Sequence, residues 1–193
     1  MPDDADWRQF IKLTAGRPAW PQLVRAADLA GSGDALDLGC GAGRDTEHLL
    51  REGFQVTAVD ASPWAGAALR RMPHQRQLHF IQSTIEDFQP GIYDLINAQF
   101  VLPFIRDDRF KACVAGFIAA LRPGGVLAAN FFGPHDEWNV PGSHLTFVTR
   151  SELDAMLTDL HVEELAEEDH DGQTADGTPK HWHVYDVVAR RAA

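Results

Sequence analysis

Asp37-Leu38-Gly39-Cys40-Gly41-Ala42-Gly43 places three glycines at alternate positions behind a single carboxylate. A short strand-like run, Asp34-Ala35-Leu36, leads into it, and a helix-like run, 44–51, leads out. Glycines at a strand-to-helix turn permit a tight backbone and let a ligand approach bare peptide groups. A second strand-like run, 55–59, ends in Asp60. Together these features read as a nucleoside-binding half-site. Asp60 is expected at the carboxyl end of the second strand, facing ribose hydroxyls, and can accept one hydrogen bond per oxygen.

The glycine spacing is not Gly-x-Gly-x-x-Gly, and the difference is chemical. A pyrophosphate seeks a helix N-terminus free of nearby carboxylates. Asp37 would repel it but can pair with a cationic amino group. The pattern therefore suits a nucleoside that carries an amino acid, S-adenosylmethionine, better than a dinucleotide.

Working outward, strand and helix signals alternate, as in an α/β fold. A helix is expected over 18–30 and is stopped by Gly31-Ser32-Gly33. Strands follow at 34–38, 55–60, 78–82 and 93–98. Helices lie between them at 44–52 and from Pro63 to about Arg71, where proline sits at the helix start and Pro73 ends it. Asp107 and Asp108 are candidate caps for a helix reaching Leu121, and Pro123-Gly124-Gly125 turns the chain into a strand at 126–131. Residues 133–146 lack periodicity and read as a loop near the site. Ser151, with Asp154 three residues on, is expected to cap a helix. Strands at 161–167 and 180–189 close the pattern, joined by an acidic, glycine-containing connection at 168–179. Ahead of all this, Trp7, Phe10, Ile11 and Leu13 can form one or two amphipathic turns within residues 1–17.

Bulk properties narrow the classes. A chain of 193 residues is expected to form one domain. A formal charge of −11 argues against an extended nucleic-acid surface and against anionic membranes. No apolar run is long enough to span a bilayer, and the acidic start is unlike a signal peptide. Cys40 and Cys113 make neither a disulfide framework nor a metal spacing, which suits a reducing cytoplasm.

Three segments in order, Asp37 to Gly43, Val56-Thr-Ala-Val-Asp60-Ala-Ser62, and Leu121-Arg-Pro-Gly-Gly-Val-Leu127, resemble the class I S-adenosylmethionine-dependent methyltransferases. Gly43-Arg44-Asp45 and Lys180-His-Trp-His-Val-Tyr185 are similar to the tellurite-resistance-type small-molecule branch. The resemblance covers roughly residues 20–190. It implies a Rossmann-like, mostly parallel seven-stranded sheet with an antiparallel last strand and helices on both faces. It also implies an N-terminal segment, here 1–17, packed over the cofactor as a lid.

The residues expected to bind S-adenosylmethionine follow from this. Backbone at Gly39, Cys40, Gly41 and Gly43 lines the amino-acid and ribose portion. Asp37 lies near the ammonium. Arg44 is a candidate near the carboxylate or a solvent-facing side chain, and Asp45 is a helix cap or a water-mediated contact. Asp60 takes the ribose, with Ala61 and Ser62 flanking adenine. The sequence has Thr84 where many relatives carry an adenine-binding aspartate. Ile85 N–H is expected at a ring nitrogen, while Glu86 or Asp87 either substitutes for that aspartate or caps a turn. Gln99 and Phe100 follow the fourth strand, where the methyl group faces its acceptor, although Phe100 can equally fill core.

Methyl transfer needs alignment and exclusion of water, and a base only when the acceptor carries a proton at attack. No catalytic residue is therefore assigned. His135, Asp136, Glu137, Trp138, His144, His181 and His183 are the candidates on the acceptor side. His181 and His183 share a strand face, but their spacing alone favours hydrogen bonding over metal, and no metal is expected. The absence of Asn-Pro-Pro-Tyr at 97–100, which read Asn-Ala-Gln-Phe, favours a small acceptor over a nucleic-acid base. The expectation is methyl transfer to a small molecule by a monomer or homodimer. A cofactor-binding protein or assembly partner without transfer activity is the alternative, and a nicotinamide oxidoreductase lacks its glycine spacing.

Overall fold

The computed structural model describes residues 4–192. Seven strands form one sheet in the order β3-β2-β1-β4-β5-β7-β6. They are β1 (Asp34–Leu38), β2 (Gln55–Asp60), β3 (Leu78–Gln82), β4 (Tyr93–Ala98), β5 (Leu121–Phe132), β6 (Leu160–Gln173) and β7 (Pro179–Arg191). The pairs among β1 to β5 are parallel, and β7 runs antiparallel to both β5 and β6. The expected mostly parallel sheet with its antiparallel last strand is observed.

The chain order reverses beside β1. The strands on its two sides, β2 and β4, are connected over opposite faces, so a crevice opens at the carboxyl ends of β1 and β4. Strand pleating sends alternate residues to opposite faces. Ala35, Val56, Leu95, Ala128 and Val188 pack under α2 (Pro21–Ala30), α3 (Arg44–Arg51) and α4 (Pro63–Leu69), through Leu23, Leu49 and Leu69. Leu36, Ile96, Leu127, Phe131 and Tyr185 pack under α5 (Asp107–Ala119) and α6 (Arg150–Met156), through Phe110, Phe117 and Leu153. Each fully buried large side chain of this kind contributes about 1.5–3 kcal/mol.

Several boundaries differ from the sequence reading, each for a local reason. β5 begins at Leu121, because Leu121 already pairs with Tyr93. The Pro-Gly-Gly segment bulges out of the β4 ladder, with Gly124 at φ 78°, while Arg122 bridges Asp34 at 2.9 Å and Asp94 at 2.5 Å. That pairing also ends α5 at Ala119. The cap of α6 is Thr149, not Ser151. Thr149 Oγ1 accepts from Glu152 N–H, and the Glu152 carboxylate accepts from Thr149 N–H, forming a capping box. Asp154 instead pairs with Arg150 one turn away. Residues 168–173 are strand, not connection, because their carboxylates meet histidines across the ladder: Asp169 faces His183 and Asp171 faces His181. The turn is confined to 174–178.

At the N-terminus, α1 (Asp4–Thr14) is a full helix, longer than the one or two turns expected. Trp7 packs edge-on to Phe104 at 5.4 Å, and the Arg8 guanidinium lies 4.2 Å over Trp64. Among the described residues no helix is long and apolar enough to cross a membrane.

Candidate functional site

β1 delivers Asp37 to the carboxyl edge of the sheet, and the chain then turns through Gly39, Gly41 and Gly43, all left-handed at φ 66°, 50° and 81°. A side chain would fail at two of these positions on space as well as strain. A Cβ at Gly39 would lie 2.3 Å from Val101, and one at Gly43 would lie 2.2 Å from Met72. Cys40 between them is buried, and burial raises its thiol pKa, so it is an inert filler rather than a nucleophile.

Asp37 is the hub beneath this turn. Thr46 Oγ1 donates to one oxygen at 2.5 Å and Asn97 Nδ2 to the other at 2.9 Å. Asn97 Nδ2 also reaches Asp45 at 3.1 Å. Burial, reinforced by Asp45, pushes Asp37 up to about 7. Asp45 does not cap α3, whose N-cap is Gly43 with no side-chain bond. It accepts Trp20 N–H at 3.0 Å instead. Arg44 stacks on Trp20 at 4.3 Å, donates to the Pro18 carbonyl and lies 4.0 Å from Asp45. The first turn of α3 thus latches residues 18–20 over the crevice.

Asp60 closes β2. Gly41 N–H donates to Oδ2 and Ser62 N–H to Oδ1, both at 2.8 Å. Each oxygen keeps a second lone pair, so the carboxylate is oriented without being used up. Ser62 caps α4 through Trp64 N–H, and Ala61 is exposed beside it.

After β3, Thr84 donates to Asp87 at 2.8 Å, and Asp87 N–H returns to Thr84 Oγ1. Glu86 accepts Arg106 N–H at 2.7 Å and pairs with the Arg106 and Arg109 guanidiniums. Asp87 also pairs with Arg109 at 3.4 Å, and Ile85 is half-buried. Beyond β4, Gln99 is buried, and Phe100 turns at φ 53°, rare for a non-glycine residue. Phe100 belongs to an aromatic group: its ring is 4.6 Å from Trp20 and 5.8 Å from Trp182.

The acceptor-side candidates divide by sheet face. Lys180 and Asp136 form a fully buried ion pair at 2.6 Å, with the ammonium 3.7 Å from the Trp182 ring and 4.4 Å from Trp138. Burial lowers the Lys180 pKa, and Asp136 holds it up. On the other side, His135 and His181 share Asp169 at 2.8 Å each, and His181 also meets Asp171 at 2.8 Å. His135, Asp169 and His183 present potential ligand atoms within 4.8 Å of one another. His183 Nδ1, however, accepts the backbone N–H of His135. Its proton therefore sits on Nε2, which points at Glu167 at 3.0 Å. A metal on Nε2 would need that proton moved to a nitrogen already facing a donor. The group is a proton-bridged network. Glu137 joins it through His181 N–H. His144 makes no part of it.

A groove of about 270 Å³ lies at the opposite end of the strands, beside Asp34, Gln55, Leu78 and Tyr93. Ligands of open α/β sheets bind outside the carboxyl ends, so this groove is not the candidate site.

Residues 35–125, which contain the glycine turn, Asp60, Thr84–Glu86 and Gln99–Phe100, match the model of the methyltransferase domain family. Over those residues the chain is similar to a methyltransferase domain. It is 34% identical over 106 residues to the ubiquinone biosynthesis O-methyltransferase of Cronobacter sakazakii, covering 52% of this chain and 42% of that protein. The chain thus spans less than half the length of that relative. Among solved structures it resembles TehB from Haemophilus influenzae, with a TM-score of 0.76 at 21% identity over 90% of this chain and 62% of that one. It also resembles the N-methyltransferase NodS from Bradyrhizobium japonicum, solved with S-adenosylhomocysteine, with a TM-score of 0.70 at 20% identity over 99% and 100%. These two likenesses concern the fold of the domain.

Trp20, Asn97 and Asn130 were not candidates from sequence. A buried asparagine in a strand has no local pattern that marks it. Trp20 becomes part of the site through its backbone bond to Asp45 and the packing of its ring on Arg44 and Phe100.

The buried acids imply a pH dependence. Asp37 at about 7 and Asp186 at about 6, the latter raised by burial and by Glu168, both lie above the ordinary 3.8. The folded state therefore binds more protons, and the stability they contribute, full below about pH 4, is lost as pH rises through 6 and 7. Thermal melts should show a lower Tm at pH 8 than at pH 5. Asp37→Asn should flatten that slope, and an unchanged slope would contradict the assignment.

Proposed function

We propose that the chain transfers a methyl group from S-adenosylmethionine to a small-molecule acceptor. The observation that carries the reading is Asp60, held by Gly41 and Ser62 N–H groups with a lone pair free on each oxygen, beside the glycine-rich turn. That is a preset receptor for a ribose diol. Two buried polar atoms beneath the turn, Asn97 Oδ1 and Gln99 Nε2, have no partner among the described residues. An acceptor oxygen and a donor nitrogen together fit the ammonium and carboxylate of an amino-acid end. Backbone at Gly39, Cys40, Gly41 and Gly43 would line the cofactor, Ala61 and Ser62 would flank adenine, and Ile85 N–H would meet its ring.

The cofactor supplies a methyl group on a sulfonium, already a good leaving group. The work of this chain is alignment and exclusion of water. Trp20 and Phe100 form an apolar wall where the methyl would emerge, and α1, packed on Trp64 and Phe104, would serve as a lid. We assign the acceptor to the small-molecule class, in line with the net negative charge and with the names of the relatives, and place the chain in the tellurite-resistance-type branch on its Gly43-Arg44-Asp45 and 180–185 segments.

Incubation with methyl-labelled S-adenosylmethionine and pooled thiols, phenols, amines and metalloid oxyanions tests this. Label should pass to at least one pool. Saturable cofactor binding with no transfer to any pool would leave a binding protein and overturn the enzymatic reading.

A further inference from the structure

Asn130 lies in β5, wholly buried in the middle of the sheet, yet all its polar atoms have partners. Its Oδ1 accepts Phe100 N–H at 2.5 Å, and its Nδ2 donates to Gln99 Oε1 at 3.2 Å and to Asp186 Oδ1 at 3.4 Å. Asp186 is directly opposite on β7, and β4 and β5 pair up to the residue before each of Gln99 and Asn130. A polar row thus crosses three strands beneath the carboxyl edge of the sheet.

Direction along this row is fixed by chemistry. The Asp186 carboxylate accepts, so the Asn130 amide nitrogen must face it. That nitrogen then also faces Gln99, which must answer with its carbonyl oxygen. The Gln99 amide nitrogen is thereby forced to the other side, where it is buried and unpaired. An unsatisfied buried amide costs roughly as much as a lost hydrogen bond, so a fixed orphan of this kind calls for a ligand. The same asparagine, through Oδ1, restrains the left-handed turn at Phe100, a conformation that is strained without support.

We propose that Asn130 is a positioning residue. It locks the flip of the Gln99 amide so that Nε2 is offered as a donor to the carboxylate of the bound cofactor, and it holds Phe100 in its turned conformation. This rests on the function proposed above. Asn130 itself touches no ligand; it acts through Gln99 and Phe100.

The test uses S-adenosylhomocysteine, which has the carboxylate, and 5′-methylthioadenosine, which lacks it, both titrated calorimetrically into the full chain. Two variants are read. Gln99→Leu removes the donor. The exchange Asn130→Asp with Asp186→Asn keeps the charge and the hydrogen bond across β5 and β7. Its carboxylate at 130 still accepts Phe100 N–H but now attracts Gln99 Nε2 and reverses the flip. Asn130→Asp alone would set two carboxylates face to face, so the exchange is the variant of choice. Each should weaken S-adenosylhomocysteine binding about tenfold and leave 5′-methylthioadenosine unchanged. Combined, they should lose no more than either alone, because both remove the same donor. Native affinity for S-adenosylhomocysteine in the folded exchange variant, equal losses for both ligands, or losses that multiply would overturn the assignment. A native chain that binds neither nucleoside would fail the proposed function itself, which is a separate result.

Discussion

Asp60→Ala is expected to weaken S-adenosylhomocysteine binding by about a hundredfold or more while the chain remains folded. The estimate follows from two hydrogen bonds to a charged acceptor, each contributing roughly 1.5–3 kcal/mol. Both of its oxygens are already oriented by Gly41 and Ser62, so the native carboxylate needs no reorganisation to receive a diol. Alanine also frees those two N–H groups, which lie at the crevice edge and can turn to water. The loss should therefore show in affinity, read by calorimetry, with only a small change in Tm. Unchanged affinity would remove the ribose contact from the account.

The second large effect concerns stability. Lys180→Met should lower stability by about 3–5 kcal/mol, because it leaves Asp136 buried without its cation. For a chain of this size that corresponds to a fall in Tm of about 10 °C. Asp136 retains the Trp138 and His183 N–H groups, which soften the loss without cancelling the charge. Asp136→Leu combined with Lys180→Met should be milder than Lys180→Met alone, since an apolar pair fits among Phe132, Trp138 and Trp182. Thermal melts of the three variants decide it. A double variant less stable than the single would mean that the pair contributes net stability beyond avoiding an orphaned charge.

Much of the architecture was legible because it is written locally. The alternation of strands with capped or proline-led helices marks the parallel sheet, and Asp37 to Gly43 followed by Asp60 marks the crevice end. Misplaced boundaries trace to contacts between segments far apart in sequence. β5 starts early because Leu121 pairs with Tyr93. The acidic run 168–173 looked like a solvated connection until His181 and His183 stood across from it.

The site divides in the same way. Glycine spacing and a carboxylate at a strand end are one-dimensional signals. The roles of Asp45, Glu86 and Arg44 are not, since each is set by its partner: Trp20 N–H, the Arg106–Arg109 pair and the Pro18 carbonyl. Asn97 and Asn130 gave no signal at all, because a buried amide matters through the groups on neighbouring strands that it joins.

Titrating the folded chain with S-adenosylmethionine, and separately with NAD, tests the central claim most directly. Saturable one-to-one binding of the sulfonium nucleoside, with none of the dinucleotide, is the expected outcome. A native-like melt accompanied by no heat or saturation with S-adenosylmethionine would contradict it.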